Sequence, residues 1–340
     1  MKVRSKAPLR LGIAGGGTDV SPYSEEYGGC VLNVTISMYA YCFLSTDSVQ
    51  NISFSAQDLV QSEVFTLGEK IDLNDGLILH RAVYLRIVHQ FNGGIFFPVS
   101  VSTFCDAPFG SGLGSSSTLV VAMVEAYRQL LGLPLGEYDI AQLAYDIERI
   151  DCGLSGGKQD QYAATFGGFN FMEFESQKVI VNPLRIRNHI VNEFQASLVL
   201  YFTGVSRKSA KIIEDQQASL SESDGSSLLA MHKVKESSYR IKELMLKADM
   251  DGVIDEFRAS WSAKKRTSRS ISNSEIDLLE SDLLENGARS VKLSGAGGGG
   301  FMMIFVEPEM RLKVVRTLEK YSGSVFPFEV TNEGAYSWII

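Results

Sequence analysis

Cysteine and histidine are scarce in this chain of 340 residues, which has four of each. The cysteines Cys30, Cys42, Cys105 and Cys152 form no CxxC pair, so the sequence gives neither a zinc-finger pattern nor a disulfide framework. We expect small, mostly buried side chains at these four positions.

Long apolar runs and an excess of basic residues are also lacking. No segment approaches the roughly 18 uncharged apolar residues of a membrane span, and the opening MKVRSKAPLRLG is too polar for a secretory signal. A net charge of −8 disfavours a nucleic-acid partner, because phosphate backbones are held by basic surfaces. We therefore expect a cytoplasmic protein with no membrane or nucleic-acid partner.

Strands and helices are interleaved throughout the sequence, which predicts an α+β fold. The length favours two domains. Near Pro183 alternating strand patterns give way to long helical runs, so we predict one domain over residues 1–180 and a second over residues 181–340.

The stretch from Cys105 to Thr118, CDAPFGSGLGSSST, is the most informative one. It lies between an apolar run typical of a strand and one typical of a helix. Glycine allows close backbone approach to a ligand, and the free amides and dipole of a helix N-terminus favour an anion. The segment therefore predicts a phosphate-binding loop, with Ser115 to Ser117 as helix cap and spare hydroxyls. The alternative is a loop that only caps a helix.

Two further glycine motifs resemble signatures of other enzymes. Gly295, Gly297 and Gly300 satisfy GxGxxG, but a strand-like run follows where a dinucleotide site needs a helix. The segment Gly153–Gly157 satisfies GxSxG, but it follows a helix where a nucleophile elbow needs a strand. A serine hydrolase, using Ser155 with His189 or His232, is thus a weak alternative.

Three glycine-rich segments, GIAGGGTD, PFGSGLGSSS and LSGAGGGGF, occur in an order that resembles the GHMP kinase superfamily. This resemblance implies ATP and Mg²⁺ as cofactors, and a two-domain fold with an N-terminal domain like ribosomal protein S5 domain 2 and a ferredoxin-like C-terminal domain. The middle segment is similar to the family's phosphate loop. It implies nucleotide contacts from Pro108, Gly110, Ser111, Gly112, Leu113, Gly114, Ser115, Ser116 and Ser117.

The same resemblance implies catalytic roles for Asp160 and Arg10, and a magnesium site at Ser116 and Glu148. The chemistry agrees, because Asp160 can accept a proton, Arg10 can stabilise the attacked phosphate, and hydroxyl and carboxylate oxygens suit Mg²⁺. The residues expected at the substrate are Arg10, Gly16, Gly17, Thr18, Asp19, Gly157, Asp160, Arg207, Lys208, Gly297 and Gly298.

The GGGTD variant of the first segment resembles the branch of the family that acts on heptose phosphates and fucose. This implies phosphorylation of the anomeric hydroxyl of D-glycero-D-manno-heptose 7-phosphate. The distal phosphate needs cations, for which Arg207, Lys208, Lys264, Lys265 and Arg266 are candidates, with a solvated basic surface as the alternative. A fucokinase and a non-catalytic sugar or nucleotide-binding protein are the other hypotheses. The expected partners are small molecules, and a homodimer is left open.

Overall fold

The computed structural model describes residues 1–47, 49–108, 110–176, 178–205, 209–220 and 225–340. Strands and helices are interleaved, as the sequence predicts. The strands are β1 (Lys2–Ala14), β2 (Gly29–Ser45), β3 (Ile52–Ala56), β4 (Gln61–Phe65), β5 (Val99–Cys105), β6 (Phe169–Phe174), β7 (Val179–Pro183), β8 (Leu198–Phe202), β9 (Ala288–Leu293), β10 (Phe301–Val306), β11 (Ser324–Phe326) and β12 (Tyr336–Ile339).

The helices alternate with these strands in the first half of the chain and cluster in the second. They are α1 (Tyr23–Tyr27), α2 (Ile78–Phe91), α3 (Ser115–Leu131), α4 (Glu137–Asp146), α5 (Gln159–Phe166), α6 (Asn188–Ser197), α7 (Ser209–Leu220), α8 (Ser226–Leu246), α9 (Met250–Lys265), α10 (Ser274–Glu285) and α11 (Arg311–Leu318). A π-helical turn, Ile147–Asp151, continues α4.

The strands form two sheets. The first has the order β12-β1-β2-β5-β3-β4, with β6 also pairing with β2 and β7 with β6. The second has the order β11-β8-β10-β9. Since β12 pairs with β1, the last strand of the chain completes the sheet that the first strand begins. The division at residue 180 stays a prediction.

The two sheets are joined by a shared apolar layer. Residues of β1 and β2, such as Leu11 and Val34, pack in one buried cluster with Phe301 and Phe305 of β10 and Phe257 of α9. Separate clusters fill the space under α2 and α3 and the space under α10 and α11. The functional groups described below lie where the two sheets approach each other.

The sequence predictions about cysteines and membrane spans hold for the described residues. All four cysteines are free, and Cys30, Cys42 and Cys105 are buried. Among the helices of the described ranges, none combines the length and the apolar character that crossing a bilayer requires.

Candidate functional site

The loop between β5 and α3 is shaped by its glycines. Gly112 and Gly114 have φ values of 82° and 77°, in the left-handed region that favours glycine. A Cβ at Gly112 would lie 2.5 Å from the carbonyl oxygen of Ser294, so the backbone of this loop packs directly against the end of β9. The loop thus presents bare backbone at the N-terminus of a 17-residue helix, where amides favour an anion.

The predicted serine cap of this helix is wrong. Helix α3 begins at Ser115, and its N-cap is Gly114, which has no side chain to accept a backbone proton. The hydroxyls of Ser116 and Ser117 instead donate to the two carboxylate oxygens of Glu148, at 2.8 and 2.6 Å. A capping side chain accepts from backbone N–H groups through its oxygen, and it does so from the N-cap position, which Gly114 occupies. The serines lie one to three residues past that position, and the hydroxyls of Ser116 and Ser117 donate to a buried carboxylate.

Arg10 and Asp160 form an ion pair at this loop. The Nε of Arg10 donates to Oδ1 of Asp160 at 2.8 Å, and a terminal nitrogen lies 2.7 Å from the same oxygen. The other terminal nitrogen donates to the carbonyl of Gly112 at 2.6 Å. Arg10 is 3% exposed, whereas the Asp160 side chain is 19% exposed, so the aspartate is the partner that faces open space.

Glu148 is held by a network on the same side of α3. Besides the two serine hydroxyls, the Nε2 of Gln161 donates to its Oε2 at 2.7 Å. A terminal nitrogen of Arg149 lies 3.4 Å from its Oε1. Glu148 is 1% exposed, so this network compensates for the burial of its charge.

These groups line a cavity of about 600 Å³ between the two halves of the chain. Its lining also includes three residues of α7 and the loop that precedes α5. The predicted residues along it are Arg10, Gly17, Asp19, Gly110, Gly112, Gly114, Ser115, Ser116, Ser117, Glu148, Gly157, Asp160 and Lys264.

Asp19 is a third acid on the cavity lining, beside Asp160 and Glu148. Its Oδ1 accepts from the amide of Gly17 and its Oδ2 from the amide of Gln159, each at 3.1 Å. A side chain at Gly157 would overlap its carboxylate. Burial raises the pKa of Asp19, and the charge of Asp160 raises it further, while the amides act in the opposite direction. Asp19 is therefore a fixed hydrogen-bonding group with a weakened preference for charge.

The remaining predicted residues lie away from the lining or outside the described residues. The Thr18 hydroxyl donates to backbone carbonyls of Gly15 and Cys30, so it shapes the loop. Gly16 accepts from Lys264, and the amide of Gly298 donates to Ile271. Pro108, Ser111, Leu113, Gly297 and Arg266 are not on the lining, and Arg207 and Lys208 lie outside the described residues.

Lys264 and Lys292 are buried cations near the glycine loop that follows β1. The Nζ of Lys264 donates to the Gly16 carbonyl at 2.7 Å. That of Lys292 donates to the carbonyls of Gly12 and Ile13, at 3.0 and 2.6 Å. Ile13 lies at a register shift between β1 and β2, between the ladder pairs Gly12–Asn33 and Ala14–Leu32, so its carbonyl gains a partner from Lys292 that the ladder does not supply.

The charges of both lysines are destabilised by their surroundings. Burial lowers the pKa of Lys264 to about 8, although Asp19 opposes the shift. Burial, Lys264 and Arg10 together lower the pKa of Lys292 to about 7. A neutral amine keeps two N–H donors, so Lys292 can retain both carbonyl bonds without its charge.

Sequence reasoning missed Arg149, Gln161 and Lys292. Arg149 follows Glu148 and Gln161 follows Asp160 in the sequence. Their position next to predicted site residues was the only sign that they could belong to the site. For Lys292, nothing in the strand pattern of β9 distinguishes a buried lysine from a solvated one. Within the described ranges, no group of three or more His, Cys, Asp or Glu side chains could hold a metal ion.

The rejected motifs are also rejected by the structure. Gly295 to Gly300 connect β9 to β10, so a strand follows them, not a helix. The GLSGG segment follows the π-helical turn Ile147–Asp151. The Ser155 hydroxyl donates to Glu214 at 3.0 Å, and His232 contacts Tyr23. Neither arrangement provides a serine nucleophile with a histidine base.

Comparison with known proteins gives a consistent picture. The family model for the GHMP kinases N terminal domain matches residues 78–168, and the GHMP kinases C terminal model matches residues 241–321. A D-glycero-alpha-D-manno-heptose 7-phosphate kinase from Campylobacter jejuni is 46% identical, with 99% of each chain covered. A bifunctional fucokinase/GDP-fucose pyrophosphorylase from Arabidopsis thaliana is 25% identical over 100% of this chain and 32% of that protein.

A solved structure is similar over the whole chain as well. The crystal structure of a D-glycero-D-manno-heptose 1-phosphate kinase from Bacteroides thetaiotaomicron superposes with a TM-score of 0.84. The two sequences are 41% identical, and 99% of each chain is covered.

Gly114→Ala tests the phosphate-binding loop, with Gly132→Ala as its matched control. Both glycines flank α3 with left-handed backbone, so each alanine should cost about 1–2 kcal/mol of stability. Only at Gly114 would the new Cβ lie 3.0 Å from the Asp160 carboxylate, while nothing lies within 4 Å at Gly132. We expect nucleotide affinity, measured by calorimetry, to fall for Gly114→Ala alone. Equal affinities would reduce the loop to a helix cap.

Lys292→Met tests the buried lysine through the pH dependence of stability. The pKa of Lys292 is about 7 in the folded state and near its ordinary value of 10.5 after unfolding. Between these values the unfolded chain binds more protons, so the free energy of unfolding rises with pH, by at most about 1.4 kcal/mol per pH unit. Urea unfolding at pH 7.5 and 9 should show a smaller rise for Lys292→Met than for wild type. The exposed control Lys247→Met should keep the wild-type rise; equal rises in all three would refute the assignment.

Proposed function

This chain belongs to the GHMP kinase family, and from that membership we propose that it transfers the γ-phosphoryl group of ATP to the anomeric hydroxyl of D-glycero-D-manno-heptose 7-phosphate. The product is the 1,7-bisphosphate, a precursor for nucleotide-activated heptose and surface polysaccharide. The observation that carries the proposal is the Arg10–Asp160 pair, which lies beside a glycine loop at the N-terminus of α3.

Asp160 acts as the base in this reaction. Arg10 donates to Oδ1 through Nε and places a terminal nitrogen 2.7 Å from the same oxygen, which leaves Oδ2 to accept a proton. Oδ2 is the oxygen nearest the backbone of Gly114, since it would lie 3.0 Å from a Cβ placed there. A hydroxyl that donates to Oδ2 is therefore next to the loop proposed to hold the phosphates.

Arg10 connects the base to the phosphate loop. Its second terminal nitrogen donates to the Gly112 carbonyl at 2.6 Å. A movement of the loop would therefore shift Arg10 and, through the ion pair, Asp160. Its positive charge also offsets the charge on the phosphoryl group during transfer. The free amides at the start of α3 bind the remaining phosphates of ATP.

The donor set at Ser116 and Glu148 fits Mg²⁺. The Ser116 Oγ and the Glu148 Oε1 are 2.8 Å apart. Neighbouring ligands of an octahedral ion with bonds of about 2.1 Å are separated by about 3.0 Å, so both oxygens can bind one ion with little movement. When bound, Mg²⁺ neutralises phosphate charge. Gln161 and Ser117 hold the other carboxylate oxygen in place.

The sugar phosphate is bound on the side of the cavity formed by the loop after β1. Asp19 accepts a sugar hydroxyl beside Gly17 and Gly157. Lys264 lines the same cavity, which supports it as a ligand for the distal phosphate. Lys265 points elsewhere, because its Nζ lies 3.0 Å from Glu280 and 3.5 Å from Asp277.

Two observations define the alternatives. The similarity to a plant fucokinase supports fucose as a second candidate acceptor. The two heptose enzymes differ in the position of the phosphate on the sugar in their names, with 7-phosphate in one and 1-phosphate in the other. A non-catalytic sugar-binding role is disfavoured by the intact Arg10–Asp160 pair.

A coupled assay of ADP release tests the acceptor. The panel comprises heptose 7-phosphate, heptose 1-phosphate, free heptose and fucose, each with Mg²⁺ and with a chelator. We expect the highest kcat/KM for heptose 7-phosphate and no turnover in chelator. A better rate with another sugar would refute the heptose 7-phosphate assignment but keep the kinase, whereas no ADP release with any acceptor would refute the kinase.

Asp160→Asn tests the base. The amide keeps the size of the side chain but cannot accept the proton, so kcat should fall by about two to four orders of magnitude with ATP affinity nearly unchanged. Asp255→Asn on the exposed face of α9 is the control and should keep wild-type turnover. Normal turnover by Asp160→Asn would mean that another group removes the proton.

A further inference from the structure

Arg149 is a cation of the cavity to which the reaction above assigns no role. It follows Glu148 in the π-helical turn Ile147–Asp151, and its side chain is 12% exposed. It lines the cavity together with Ser117 and the loop residues Leu154 to Gly157. The guanidinium packs flat against the backbone of Gly156, where a Cβ would overlap it.

The hydrogen bonds of Arg149 are long and incomplete. Its NH1 donates to the carbonyls of Leu154 and Ser155, at 3.3 and 3.2 Å, and its NH2 to the Ser117 hydroxyl at 3.4 Å. The Nε is buried and has no partner among the described residues. Arg10, by contrast, makes bonds of 2.6 to 2.8 Å to Gly112 and Asp160. A guanidinium has five N–H donors, so Arg149 has hydrogen-bond donors without good partners in a largely buried position.

The charges around the cavity point to an anion as the missing partner. Arg10 is committed to Asp160, and Lys264 donates to Gly16. The acid nearest to Arg149 is Glu148, at 3.4 Å, and that carboxylate already accepts three shorter bonds from Ser116, Ser117 and Gln161. Arg149 thus has one long ion-pair contact, to a carboxylate that three better placed donors already share, and it lies beside the phosphate loop.

We propose that Arg149 is a further catalytic residue, which binds the γ-phosphate of ATP and holds it during transfer. The inference rests on the proposed function. A planar guanidinium can donate to two non-bridging oxygens of one phosphate. In the reaction a bond forms between the sugar oxygen and the γ-phosphorus while the bond from that phosphorus to the β–γ bridging oxygen breaks. The sugar proton goes to Asp160, ADP leaves, and Arg149 stabilises the equatorial oxygens throughout.

The test compares affinities for ADP and for a non-hydrolysable ATP analogue, measured by calorimetry with Mg²⁺ and without sugar. The analogue carries a γ-phosphate that ADP lacks. Its substituted atom is the same in every measurement, so it cancels when a variant is compared with wild type. For Arg149→Gln we expect the affinity for the analogue to fall about tenfold to a hundredfold, and that for ADP to change less than about twofold. Arg149→Lys keeps the charge but not the paired donors, so it should lose less.

Two further variants separate a phosphate ligand from a structural residue. Gly156→Ala keeps the arginine but displaces its guanidinium, so it should also lose affinity for the analogue more than for ADP. Arg86→Gln is the control, because Arg86 forms an ion pair with Asp151 of the same turn, at 2.5 Å, and does not line the cavity. It should lower the melting temperature without changing the ratio of the two affinities.

The outcomes distinguish this inference from the proposed function. Equal losses for ADP and the analogue in Arg149→Gln would mean that Arg149 only supports the fold, and unchanged affinities would mean that it binds no phosphate. Either result refutes the role of Arg149. The proposed kinase activity would stand as long as the protein still binds ADP and phosphorylates its acceptor. Wild-type protein that binds neither nucleotide would refute both.

Discussion

A buried guanidinium is the constraint on which the arrangement of this protein depends. Arg10 is almost inaccessible to water, so its donors need partners within the protein. They are found on three separate segments: the Asp160 carboxylate, the Gly112 carbonyl and the Ser294 hydroxyl. Satisfying one charge therefore joins β1, which leads into the first glycine-rich segment, to the second and third glycine-rich segments and to α5. Glycine is needed at Gly112 because the segments approach within contact distance.

The two halves of the molecule are joined by polar contacts as well as by the apolar layer. Lys292 of β9 and Ser294 just after β9 both contact Gly12 of β1. Lys292 donates to the Gly12 carbonyl, and Ser294 accepts from the Gly12 amide. Burying an ammonium group is unfavourable, which is the cause of the lowered pKa of Lys292. The bonds to Gly12 fix the position of the second sheet relative to β1, only two residues beyond Arg10. Apolar packing alone would allow the two sheets to slide slightly against each other.

Much of the site could be predicted from the sequence because clusters of glycine and short polar residues are typical of places where the backbone closely approaches a ligand or another segment. The loop at Gly112 and Gly114 was accessible in this way, whereas the pairing of Ser116 with Glu148 was implied by the resemblance to the GHMP kinases. Arg149 and Lys292 were not, since their roles depend on which charges already have partners after folding. The serine cap was wrong because the helix begins one residue earlier than a cap at Ser115 requires, which leaves Gly114 at the cap position. The bonds from the serine hydroxyls to Glu148, a residue far along the chain, are encoded in no local pattern.

The pairing of β12 with β1 has a consequence for how the molecule is made. Residues 3 and 339 are partners in the ladder between β1 and β12. The outer neighbour of β1 is therefore β12, which is synthesised after every other described element. A nascent chain exposes that edge of β1 throughout translation, and an unpaired edge is a template for foreign strands. The closure of so long a loop is also entropically costly and slow. Completion of the first sheet therefore waits until residues 336–339 have been synthesised, and until then the outer edge of β1 is open to foreign strands.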